Sequence, residues 1–143
     1  MLTQRSRYAM RAMLLLAKQS TESGPLPMSV IAKEAQVPRK FLEIILTELR
    51  EAGMVTSHRG KLGGFTLAKP PHIISLGDII RKMEGPLALV PCVSHTAYKR
   101  CKDCKDEASC AIRRAMMVVR DDTARILDGT SLLDALTENR AAA

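Results

Sequence analysis

Residues 38–68 read PRKFLEIILTELREAGMVTSHRGKLGGFTLA, and the order of elements in them decides the fold. Phe41, Leu42, Ile45, Leu46 and Leu49 recur at helical spacing, so a helix with one apolar face is expected from about Pro38 to Ala52. Proline suits the first helical position, where its missing N–H would have no partner anyway. Gly53 is a natural C′ residue. Two short apolar stretches follow, Met54-Val55-Thr56-Ser57 and Phe65-Thr66-Leu67-Ala68, joined by His58-Arg59-Gly60-Lys61-Leu62-Gly63-Gly64. They predict a β-hairpin with a glycine-rich, basic tip.

Upstream, Tyr8, Ala12, Leu15 and Leu16 share a helical face, with Ala9 and Met13 beside them. That helix starts near Arg5 and ends at Gln19, before the loop Ser20–Pro27. Ser29 offers an N-cap for a short helix, Val30 to Ala35, and Gln36-Val37-Pro38 makes a tight turn. Three helices followed by a basic hairpin is the winged helix-turn-helix order. Downstream, Pro70-Pro71 ends the second strand. Ser75, with Asp78 three residues on, starts a helix that runs to Glu84 and breaks at Gly85-Pro86.

A longer helix is expected from about Ser109 to Asp128, roughly 30 Å at 1.5 Å per residue. Ile112, Ala115, Met116, Val119, Ile126 and Leu127 give it an apolar stripe, interrupted by Thr123. So small a monomer can hardly bury that stripe, which argues for a partner helix and a homodimer. Folding back on the first helix is the alternative, and both can hold at once. The fold class is therefore mostly α with a small β-hairpin wing, a winged helix-turn-helix domain plus a long dimerisation helix. The divisions are residues 1–86 for the DNA-binding domain, 87–110 for a cysteine-rich loop, and 111–143 for the dimerisation helix and a tail folding back on the first domain. Asn139 to Ala143 are expected to fray.

Charge agrees with this division. Residues 1–69 hold eleven Lys and Arg against five Asp and Glu, whereas residues 70–143 hold eleven against ten. A basic half suits a polyanion, here double-stranded DNA. In winged-helix geometry the second helix of the motif enters the major groove by its N-terminal end, which presents Pro38, Arg39, Lys40, Phe41 and Glu43. Arg39 and Lys40 can reach phosphate or guanine, and Glu43 can accept from cytosine N4 or pair with Lys40. Ser29 can donate to a phosphate. Wing residues Ser57, His58, Arg59, Gly60, Lys61, Gly63 and Gly64 suit the minor groove, the glycines allowing close backbone approach. Gln4, Arg5 and Arg7 should touch the DNA backbone. The Gly60-x-x-Gly63-Gly64 run is no nucleotide loop, because neither a helix nor a Lys-Ser/Thr pair follows it.

Cys92, Cys101, Cys104 and Cys110, the only cysteines in the chain, form the run C-x8-C-x2-C-x5-C in a charged segment. Such a stretch does not build a core; clustered thiols in it bind a metal or change redox state. No signal peptide is expected, since Arg11 and Lys18 interrupt the apolar run near the start, and no run reaches the ~18 apolar residues of a membrane span. A cytoplasmic protein with no membrane partner is expected, with its thiols reduced. Thiolates select iron–sulfur clusters, zinc or Cu(I). Irregular spacing suits a cluster, [2Fe–2S] or [4Fe–4S], whose ligands are spread over several irons. Only Cys101 and Cys104 form the close pair typical of structural zinc, so zinc is the alternative, with a metal-free thiol switch beside it. His95 is a minor candidate ligand, and is more readily read as a surface loop residue. No histidine stands in a recognisable base arrangement and little room is left for a pocket, which speaks against an enzyme.

Several stretches resemble the Rrf2 family of bacterial transcription regulators. TQRSRYAMRAMLLL at 3–16 resembles its N-terminal helix, and Phe41-Leu42-Glu43 with Ile45-Leu46 its recognition helix. SHRGKLGGFTL at 57–67 resembles its wing and is the most specific match. Ile79-Ile80 through Glu84-Gly85-Pro86, and Ile126-Leu127-Asp128, also fit. The resemblance implies a homodimer on a palindromic operator and, as in many members, an iron–sulfur cluster on three cysteines. Cys92, Cys104 and Cys110 match those positions, and Cys101 is extra. Some members use a histidine three residues past the last cysteine, where this chain has Arg113. Others use an acidic residue of the first helix, where this chain has Arg5, Ser6 and Arg7. Cys101 is then the replacement fourth ligand. The position of the loop, between reader and dimer helix, implies that ligation orders it and sets the spacing of two recognition helices. Operator affinity would follow, since half-sites lie about 34–36 Å apart or at multiples of that distance.

Overall fold

The computed structural model describes residues 1–19 and 23–137, so the expectation for 139–143 lies outside the described residues. Six α-helices and one hairpin follow in the order α1 (Gln4–Lys18), α2 (Met28–Glu34), α3 (Arg39–Glu51), β1 (Val55–His58), β2 (Gly64–Leu67), α4 (Leu76–Glu84), α5 (Ala111–Asp128) and α6 (Leu132–Thr137). A 3-10 turn, Pro91–Val93, precedes the cysteine segment. The fold is the winged helix-turn-helix expected.

Helix α1 lies at the centre. It packs against α3, α4, α6 and β2. Ala9, Ala12, Met13 and Leu16 of α1 meet Leu42, Ile45, Leu46 and Leu49 of α3, all buried. Ile31, Ile74, Ile79 and Leu132 are fully buried as well. The core is aliphatic, as a chain with no Trp and 3% aromatics requires.

Local capping fixes most boundaries. Thr3 caps α1, accepting from the Ser6 amide. Ser75 and Asp78 form the full capping box of α4. Ser131 and Asp134 repeat the exchange at α6, by 2.9 and 3.1 Å bonds. Gly53 turns the chain after α3 with φ +74°.

Three expectations need correction. Ser29 is not an N-cap: α2 begins at Met28 after Pro27, whose carbonyl accepts from Val30 and Ile31. The reason is distant in sequence. Leu26 and Phe65 exchange backbone hydrogen bonds of 3.0 and 2.8 Å, so the chain is held extended up to Pro27 and turns helical directly after it. Pro38 is the N-cap of α3, not its first helical residue. Phe41 is not on the buried face. It is 45% exposed, beside Tyr8 at 6.2 Å between ring centroids, because Leu42 and Ile45 already fill the core side. Each strand also lies within one residue of its expected limits.

The C-terminal segment returns to the first domain. The Leu132 amide donates to Ile74 O and the Leu76 amide to Thr130 O, each at 2.9 Å, and Leu132 is fully buried. Arg81 of α4 grips Asp128 of α5 with two hydrogen bonds, 2.6 and 2.8 Å. That bond holds the Asp128 carboxyl below the usual carboxylate range.

Glu84 closes the other end of α4. Its carboxylate accepts from Thr3 N and Oγ, both at 2.7 Å, and from the buried Ser6 Oγ. These bonds, Ser6 first, lower its pKa from the ordinary 4.5. A folded pKa below the unfolded one gives stability that is complete above the unfolded value. It is lost as pH falls through the folded value. Thermal melts between pH 7 and 3 should therefore show an acid-side decline that is shallower in Glu84→Gln. An unchanged slope would mean the carboxylate contributes nothing to folding.

Candidate functional site

Two regions carry the residues of interest. The first is the surface formed by α3 and the hairpin. Leu42, Ile45, Leu46 and Leu49 anchor the inner face of α3 at 1% exposure or less, which turns Arg39, Lys40, Phe41 and Glu43 outward. Arg39 pairs with Glu43 at 3.6 Å, and Lys40 Nζ stands 5.0 Å from the Phe41 ring centroid. The expected Lys40–Glu43 pairing is thus replaced by Arg39–Glu43. Ser29 is exposed in the first turn of α2.

The hairpin pairs Val55 with Leu67, Thr56 with Thr66, Ser57 with Phe65 and His58 with Gly64. His58 Nε2 and Thr66 Oγ1 are 2.9 Å apart. Arg59, Gly60 and Lys61 form an exposed tip, with Gly60 at φ +103°. Gly63 and Gly64 form its foot. A Cβ on Gly64 would lie 2.2 Å from Leu26 O, so only glycine lets β2 close against the chain entering α2. The wing is thereby fixed to the helix-turn-helix through backbone.

Residues of the first helix are less free than expected. Arg5 is hydrogen-bonded to Glu48 of α3, and Arg7 to Gln4. Both remain exposed, so they can exchange these partners for phosphate.

The second region is the cysteine segment. Cys92, Cys101, Cys104 and Cys110 all line one cavity of about 440 Å³, with Val90, Ile112 and Arg113. Cys92 is buried in the 3-10 turn. Cys110 is the N-cap of α5, its sulfur accepting from the Arg113 amide at 3.4 Å. The neighbouring Cys92 thiol, with partial desolvation, pushes the Cys101 thiol up. Arg120 Nη1 donates to Val93 O at 2.6 Å and so ties α5 to the turn carrying Cys92. His95 is an exposed residue 3.9 Å from Asp121, away from these thiols.

Among the described residues, no three His, Cys, Asp or Glu side chains converge on one ion position. A single zinc ion needs four donors at about 2.0–2.3 Å from one point. A cluster takes its thiolates from around a wider body, one iron at a time. Four soft donors lining one cavity are a donor set that an iron–sulfur cluster can use.

A buried-face recognition helix and a backbone-anchored wing define a winged helix-turn-helix DNA-binding regulator. A family model described as "Rrf2: Iron-dependent Transcriptional regulator" matches residues 2–138. The chain belongs to the Rrf2 family, and so is a transcription regulator and not an enzyme. An rrf2-like HTH-type regulator of Rhodobacter capsulatus is 39% identical, over 100% of this chain and 97% of the relative. The structure of CymR, the global cysteine regulator of B. subtilis, superposes with a TM-score of 0.78 at 33% identity, covering 96% of this chain and 97% of that one. T. potens IscR superposes with a TM-score of 0.75 at 28% identity, covering 100% and 92%. Among the described residues no helix is long and apolar enough to cross a membrane.

Proposed function

We propose that the chain acts as a homodimer on a palindromic DNA operator, with affinity set by an iron–sulfur cluster held by Cys92, Cys101, Cys104 and Cys110. The observation that carries this is that all four cysteines line one cavity, formed by the loop and the first turn of the long helix. When bound, a cluster would supply a redox-active centre open to oxidants, nitric oxide or iron limitation. The chain's own part is mechanical. The Cys92 turn is tied to α5 by Arg120, and α5 is tied to α4 by Arg81–Asp128, so ligation on the loop bears on the helix that would hold the partner. Arg39, Lys40, Glu43, Arg59 and Lys61 are the proposed DNA contacts, with Gln4, Arg5, Arg7 and Ser29 on the backbone.

A second reading, a metal-free thiol switch, is supported by four free cysteines lining one cavity, Cys92 and Cys101 among them. It is supported too by the likeness to a protein described as the global cysteine regulator. Visible absorption, iron and acid-labile sulfide of anaerobically purified protein separate the readings. A coloured protein with stoichiometric sulfide, bleached by Cys101→Ala, is the expected result. Colourless protein with no iron after reconstitution would overturn it in favour of zinc or thiol chemistry. Operator affinity unchanged by cluster loading at fixed salt would overturn the switch.

A further inference from the structure

On α3, Lys40, Glu43, Ile44 and Thr47 fall at i, i+3, i+4 and i+7 and are all exposed, so they form one outward face. Ile44 is 57% exposed in the middle of it. The apolar residues that build the core, 42, 45, 46 and 49, run on the opposite side, so Ile44 is out of phase with them. Its neighbours are already engaged on the protein. Arg39 pairs with Glu43, Lys40 lies against Phe41, and Thr47 donates its hydroxyl to Glu43 O at 2.8 Å.

Charge along α3 dictates how DNA can meet this face. Arg39 and Lys40 stand in its first turn, while its last turn carries Glu48 and Glu51 around Arg50. Phosphates are drawn more strongly to the first end than to the second. Ile44 lies five residues beyond Arg39, about 7.5 Å along the axis, within a major groove about 8.5 Å deep. Of the four bases, thymine alone presents an apolar group there, its C5 methyl.

We infer that Ile44 is a specificity residue that reads the C5 methyl of a thymine in each operator half-site. The inference rests on α3 being the element that enters the major groove. The test begins with operator selected by the wild-type protein from a randomised duplex library. Each selected thymine is then replaced by deoxyuridine, which removes only the methyl, and affinity is measured by fluorescence anisotropy at fixed salt.

One thymine per half-site should weaken binding about four-fold when replaced, and about 15-fold when both half-sites are changed, the weight of one methyl leaving an apolar contact each time. Ile44→Ala should bind the parent operator more weakly and lose the distinction between thymine and deoxyuridine at that position alone. Ile44→Val should keep part of it. As the side chain is outside the core, these variants should melt as the parent does. Equal losses in wild type and Ile44→Ala, or no deoxyuridine effect beyond 1.5-fold, about the scatter of such measurements, would overturn the inference. Failure to enrich any sequence would overturn the DNA-reading assignment along with it.

Discussion

Gly64→Ala is expected to weaken operator binding by at least about 30-fold at fixed salt, the weight of roughly 2 kcal/mol of lost wing contacts. Two physical terms act together. Gly64 sits at φ +153°, where a side chain is strained, and the added Cβ would stand 2.2 Å from a backbone oxygen that cannot move aside. The contact is relieved only if β2 leaves Leu26, which breaks the two backbone hydrogen bonds holding the wing. Arg59 and Lys61 are then no longer presented at a fixed distance from α3. Gly60→Ala is the comparison, because nothing lies within 4 Å of its Cβ and only backbone strain is added. It should cost about 1 kcal/mol of stability and leave most of the affinity. Electrophoretic mobility shift with thermal melts measures both. Equal affinities for the two variants would show that the wing foot does not position the wing.

Val119→Glu, or Ile126→Glu, should convert the proposed homodimer into a species of 15.7 kDa by light scattering. The helix of eighteen residues has no buried residue within the single chain, and Ile112, Val118, Val119 and Ile126 are exposed by 39–68%. A homodimer would bury that stripe, and a carboxylate placed in it would be desolvated without a partner. Glutamate is a good helix former, so α5 itself should persist. Operator affinity should fall by about 100-fold or more, because two linked half-site readers bind far more tightly than one. A variant that stays dimeric would move the interface elsewhere on the chain.

What could be read from the sequence was local. Ser75 and Asp78 announce their helix because the capping box needs only residues three apart. The four buried positions of α3 follow its period, and Gly53 ends it as expected. What escaped depended on distant partners. The start of α2 is set by Phe65, nearly forty residues on, so Ser29 looked like a cap and was not. Phe41 matched the helical period but was displaced to the surface by its neighbours, and Ile44 carried its signal in breaking that period. For the cysteines, spacing gave the donor set. It could not give the cavity that Cys92 and Cys101 both line, which the turn at Pro91–Val93 and the loop after it create together.

Cys110 does two things with one atom. Its sulfur faces the cavity shared with the other thiols and also accepts the Arg113 amide that opens α5. Sulfur is a weak acceptor, and a cap is worth only about 1 kcal/mol, so the first turn of the helix is held lightly. Whatever engages that lone pair from the cavity side competes with the amide. Fraying of α5 and chemistry at the thiol are therefore linked reciprocally, each biasing the other by the same free energy. Amide hydrogen exchange at Arg113 would then serve as a gauge of the sulfur's chemical state, read from the backbone rather than from colour.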